Sequence, residues 1–201
     1  WKESRTGCPA FLSKFIVIEV KQMREYMSYA GTEMSGSNQV YIHYGSKQFD
    51  ISKFEPIRNW WNKPHGGLWA SPVNAEYGWK KWNAESHYRE CSEENSFRFT
   101  LTPDAVVYCI DSESKALGLP SLPWPFPDIK YPSTRTFDFE RVLHAGIDAI
   151  ELKLSTDRQL YWVMYGWDCD CILILNPDVI APLDTATECA VNKRAALDWG
   201  Y

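Results

Sequence analysis

The sequence has no apolar stretch approaching the roughly 20 residues that a membrane helix needs. Its longest greasy runs, 15–18 and 171–175, are of strand length, so the reading has no membrane partner. Positive charge is scarce. Lys and Arg number 21 against 26 Asp and Glu, for a formal charge of −5, which argues against a broad basic face for duplex phosphate. Close cysteine pairs are missing as well. Of Cys8, Cys91, Cys109, Cys169, Cys171 and Cys189, only Cys169 and Cys171 are neighbours, so no zinc-site spacing exists. Cys109 and Cys171 sit in apolar runs where a thiol packs as a small hydrophobe, and reduced thiols are expected. The four histidines are scattered, and no metal site is expected. The helices do not alternate regularly with the strands and no glycine-rich phosphate loop follows a strand, which argues against a parallel doubly wound sheet. Internal repeats, low-complexity tracts and a secretory leader are also missing. The chain opens at Trp1, and the expected place is the cytoplasm, or a target cell to which an effector is delivered.

What is abundant is aromatic: 10 Trp, 11 Tyr and 9 Phe among 201 residues. The length suits a single domain over 1–201. Strands are predicted over 15–20, 39–44, 67–70, 96–101, 105–110, 149–154 and 171–175, the last of them central. Helices are predicted over 21–30, from an Asn74 cap to about 86, over 137–144 and over 156–165. Asp50 is placed to cap a short helix toward Phe54, and 32–38 reads as a turn cluster. Residues 120–132 hold five of the 12 prolines and read as an excursion from the domain. The fold class is α+β, many short strands with a few short helices.

Three segments carry candidate chemistry. In Tyr41-Ile42-His43-Tyr44-Gly45-Ser46, His43 lies on the polar side of a strand, and Gly45 lets a ligand approach the backbone. The bland alternative is a surface histidine at a strand end. In Gly66-Gly67-Leu68-Trp69-Ala70-Ser71, two glycines precede a short strand with an aromatic plate, and Tyr77 follows. A tight turn into a core strand explains that equally well. In Trp167-Asp168-Cys169-Asp170-Cys171, the two carboxylates are spaced to share one face of a strand. They could equally be solvated residues in the loop entering it.

The order of these segments resembles the ADP-ribosyltransferase-like superfamily, in the branch of poly(ADP-ribose) polymerases and diphtheria-type toxins. That branch has His-Gly-Ser, then Gly-aliphatic-Tyr-Phe-Ala with Ser-Ala-Asn-Tyr, then Glu opening a late strand. Here His43 with Gly45-Ser46, then Gly67–Ala70 with Asn74–Tyr77, then Asp168 or Asp170 would match. Tyr44 is inserted in the first motif, Trp69 stands where Tyr is usual, and Asp stands where Glu is usual. The resemblance implies a split, mostly antiparallel two-sheet core with short helices, binding NAD between the sheets.

By the same resemblance, His43 would bond a ribose hydroxyl and the Gly45 backbone the nicotinamide amide. Tyr77 or Trp69 would stack on the nicotinamide, with Tyr44, Ser46, Gly67, Leu68 and Ser71 lining the wall. Asp170 or Asp168 would stabilise the cation, with Glu151 as rival. The implied activity is NAD-dependent transfer of ADP-ribose to a macromolecular acceptor, protein or nucleic acid, or NAD hydrolysis, without metal. Cleaving the nicotinamide–ribose bond develops an oxocarbenium ion that a preorganised carboxylate stabilises.

Two other classes remain open. One is a binding module in which Trp60, Trp61, Trp69, Trp79 and Trp82 form a platform for sugars or bases; the other is the same fold without turnover. The clustering of Trp60, Trp61, Trp69, Trp79, Trp82 and Trp167 around the motifs predicts that most of these rings brace one site. Trp1, Trp124, Trp162 and Trp199 are expected to serve core or terminal packing.

Overall fold

Runs of aromatic and β-branched residues, punctuated by turn clusters, condense into ten short strands and four short α-helices in the computed structural model, which describes residues 32–34, 39–123 and 135–183. The expected strand over 15–20 and helix over 21–30 lie outside the described residues, as do Cys8, Cys189, Trp1, Trp124 and Trp199. The strands are β1 (Thr32–Met34), β2 (Tyr41–Tyr44), β3 (Leu68–Pro72), β4 (Ser96–Leu101), β5 (Val106–Ile110), β6 (Ser121–Leu122), β7 (Thr136–Phe137), β8 (Ala149–Leu152), β9 (Cys171–Ile174) and β10 (Ile180–Pro182). The helices are α1 (Trp79–Ser86), α2 (Glu113–Leu117), α3 (Phe139–His144) and α4 (Leu160–Val163).

Eight strands form one sheet in the order β1-β5-β8-β9-β3-β2-β4-β10. All its pairs are antiparallel except β5 with β8, whose connection runs through α2 and α3, as a parallel pair requires a long crossover. The class is therefore α+β with a curled sheet. β9 is central, as expected, and all four of its residues are buried. Both of its faces are covered, which is why its sequence is continuously apolar rather than alternating. Leu173 faces a core built with α2, α3 and α4, through Ala116, Phe139, Val142, Leu160 and Val163. Ile172 and Ile174 face the inside of the curl, with Tyr41, Ala70, Phe99 and Leu101.

Several boundaries differ from expectation for local reasons. Residues 32–34 are strand rather than turn, because β1 finds a partner in β5. The helix expected from Asn74 begins only at Trp79, since Gly78 is extended (φ −90°, ψ −175°). Its end is sharp: His87 adopts a left-handed conformation (φ 54°) and donates its N–H to the Asn83 carbonyl. The helix expected over 156–165 shrinks to α4. Asp157 is extended there, and its carboxylate accepts the Gln159 N–H, a capping arrangement that starts the helix late. Asp50 caps a 3-10 turn over Ile51–Lys53, as read. The strand ribbon β6–β7 pairs Ser121 with Phe137 and Leu122 with Thr136; residues 124–132 of the expected proline-rich excursion lie outside the described residues.

Candidate functional site

The sheet parts at β3. Leu68, Trp69 and Ala70 pair with β9, whereas Ser71 and Pro72 pair with Ile42 and Tyr41 of β2. Beyond Ile42 the β2–β3 ladder ends, while His43 and Tyr44 stay paired with Phe97 and Ser96 of β4. At this opening His43 replaces the ladder: its Nδ1 lies 2.7 Å from the Trp69 carbonyl oxygen. A carbonyl only accepts, so Nδ1 carries the proton and Nε2 of the neutral ring holds the lone pair. Burial pulls the His43 pKa below its ordinary value. The Trp69 bond opposes this, and the Arg89 charge adds to the lowering.

Gly45 sits against that lone pair. Its φ is 128°, and a Cβ placed there would lie 3.5 Å from His43 Nε2. Its N–H donates to the Asn95 carbonyl at 2.8 Å. Gly67, at φ 69°, has no room for a side chain, because a Cβ would come within 2.8 Å of Leu173 and Ile174. This close approach seats β3 against β9.

The remaining expected residues are distributed unevenly. Tyr44 is buried, and its carbonyl faces an Arg89 Nη at 3.5 Å. Ser46 Oγ donates to the Gln48 carbonyl. Leu68 packs on the core inside the curl. The Trp69 ring packs edge-on against Trp167 at 4.6 Å between centroids, and the Lys63 ammonium stands 4.6 Å from its centre. Ser71 is not a wall residue. It is 2% exposed, donates to the Asp170 carbonyl and accepts the Trp79 N–H. Tyr77 donates to Glu85 at 2.7 Å, and that bond pushes the phenol up to about 12.

Among the carboxylates, Asp168 is half-buried beside Tyr77. Asp170 is 5% exposed, and its two oxygens accept the Ser155 N–H and Oγ–H, each at 2.8 Å. Glu151 occupies a different place. It lies on β8 opposite Ile172, which lies opposite Ala70, so it looks into the curl. There Tyr41, two residues before His43 on the same strand, donates to Glu151 at 3.3 Å. The curl thus brings the inner faces of β2 and β8 together across two intervening strands.

One residue at the opening was not singled out from sequence. Arg89 holds its guanidinium 4.9 Å from the centre of the Trp79 ring and close to His43. Its N–H is tied to Asn83 Oδ1, which pins the turn after α1. Beside it opens a depression of about 460 Å³ lined by Lys80, Asn83, His87, Arg89 and Cys91. The Trp79 indole N–H is buried with no acceptor, an unspent donor of the kind that asks for an explanation. The only sequence signal was a basic residue just past a predicted helix.

The tryptophans separate into two groups. Trp167 is 1% exposed, and Trp79 and Trp82 pack edge-on at 5.5 Å, as a bracing role requires. Trp60, Trp61 and Trp162 are instead 57%, 45% and 56% exposed. Trp162 is therefore not a core residue, and Trp60 and Trp61 do not close a wall. Among the described cysteines, Cys91, Cys169 and Cys171 are free thiols, and Cys109 is buried. Comparisons with protein-family models, curated proteins and solved structures find no match to this chain.

Proposed function

We propose that the protein cleaves the nicotinamide–ribose bond of NAD and passes ADP-ribose to a macromolecular acceptor or to water. The observation that carries this reading is the opening of the β2–β3 ladder at His43. There a neutral imidazole of fixed tautomer lies beside Gly45, and the Arg89 guanidinium reaches the carbonyl of Tyr44 between them. His43 Nε2 accepts a ribose hydroxyl, and Arg89 supplies positive charge for the diphosphate. These contacts act by orientation, holding the sugar while the bond breaks.

The carboxylate that stabilises the oxocarbenium ion is Glu151 in this reading. It shares the inner face of the curl with Tyr41 and His43, whereas both oxygens of Asp170 are spent on Ser155. A fixed negative charge facing a cation that exists only in the transition state lowers the barrier rather than merely binding substrate. The test is nicotinamide release from NAD by the wild type, His43→Ala, Glu151→Gln and Asp170→Asn. Glu151→Gln is expected to lose about a hundredfold or more in kcat, and His43→Ala to lose both NAD affinity and turnover. NAD binding without nicotinamide release would reduce the protein to a binding fold. Turnover untouched by His43→Ala and Glu151→Gln would end the proposal.

A further inference from the structure

On α4 the usual order of a surface helix is inverted. Leu160, Val163 and Met164 are buried, as a core-facing stripe should be. The outward side, however, presents Tyr161, Trp162 and Tyr165, exposed by 39%, 56% and 53%. Their rings support one another: Tyr161 lies 5.3 Å from Trp162 and 6.0 Å from Tyr165, both edge-on. The turn at 60–63 is attached to the same surface. Asn62 Nδ2 donates to the Tyr165 carbonyl, and Lys63 Nζ donates to the Gly166 carbonyl at 2.9 Å. This turn presents Trp60, tilted against His65 at 5.1 Å between centroids. Large rings left in water on two segments bonded to each other mark a contact site.

The charge around these rings narrows the partner. Arg158 lies in the turn that enters α4, where its carbonyl accepts the Tyr161 N–H at 3.3 Å. Arg58 is bridged through its backbone to His65, next to Trp60. Both arginines are exposed, and neither has an ion pair among the described residues. The residue before Arg158, Asp157, accepts the N–H groups of Gln159 and Glu113 with its carboxylate. Aromatic faces interleaved with unspent cations fit a strand of alternating bases and phosphates. A neutral sugar needs no such cations.

We infer that the outer face of α4 and the Trp60 turn form a docking surface for single-stranded nucleic acid. Bases stack on Trp162, Tyr165 and Trp60, and phosphates pair with Arg158 and Arg58. The surface is built from residues other than His43 and Glu151, so the inference does not depend on NAD cleavage.

The test uses the full chain with fluorescein-labelled oligothymidine and oligouridine, read by anisotropy and by quenching of Trp emission. The wild type is expected to bind with an affinity that falls as salt rises. Trp162→Ala with Tyr165→Ala is expected to weaken binding by at least about tenfold, as loss of stacked bases does. Arg58→Glu with Arg158→Glu, which leaves the rings in place, is expected to weaken binding and flatten its salt dependence. Circular dichroism checks that each variant is folded. Absence of binding by folded wild type, or binding indifferent to both double variants, overturns the inference. So does salt-independent retention on a neutral dextran in place of the oligonucleotides, or a self-association in sedimentation that the Trp162→Ala, Tyr165→Ala variant abolishes.

Discussion

Asp170 shows how one carboxylate can be read in two ways that a measurement separates. In the sequence it stands at the mouth of a buried strand, where an acid is costly unless paired or used. In the fold it is paired: Ser155 gives it two hydrogen bonds, and its own N–H goes to the Tyr77 carbonyl at 2.9 Å. Asp170→Asn puts an amide where two donors converge, so one of them loses its acceptor. The expected cost is about 1–3 kcal/mol of stability in urea unfolding, with little change in nicotinamide release if the folded fraction is held equal. Full stability with lost turnover would return Asp170 to the catalytic role that its position suggested. Sequence placed Glu151 on a predicted strand as the rival acid, but its meeting with Tyr41, 110 residues away, depends on the curl of the sheet.

α1 begins where another element allows it. Its cap position, Gly78, offers no side-chain oxygen, and the first helical N–H is taken by Ser71 of β3 at 2.9 Å. The same hydroxyl donates to the Asp170 carbonyl before β9, so one buried oxygen ties a helix to the end of β3 and the entry of β9. Ser71→Ala strands a buried N–H and a buried carbonyl. The expected loss is about 1–3 kcal/mol, with faster amide exchange at Trp79; stability within about 0.5 kcal/mol of wild type would mean that water replaces the hydroxyl at no cost. The helix itself was legible from its pattern, and its start was not. An Asn74 cap was the best local choice, but capping by a residue eight positions earlier is a tertiary contact. At α4 the start is set locally instead, because the Asp157 carboxylate accepts the Gln159 N–H two residues on.

At the scale of the whole molecule, the tryptophans are the best probe, because packing rather than type divides them. Trp167 lies between Trp69 and Phe139 and donates to the Asn62 carbonyl at 2.8 Å. It joins the core under the helices to the turn that carries Trp60. Trp167→Phe keeps a ring but leaves that carbonyl unpaired and a gap beside it, for an expected loss of about 1–3 kcal/mol. Trp162→Ala is expected to change stability by less than about 0.5 kcal/mol, both read by urea unfolding. Equal losses would contradict the division. The sequence by itself determined the strands of the core, since four consecutive buried residues in β9 and alternation in β4 are local patterns written by burial on two faces or one. It also marked the turns, where Gly45 and Gly67 adopt conformations that side chains resist. Only the tertiary structure decided which acid meets Tyr41 and where the sheet opens. It also decided which rings meet water. Each of those depends on how far the sheet curls, and the curl is set by packing between residues far apart in the chain.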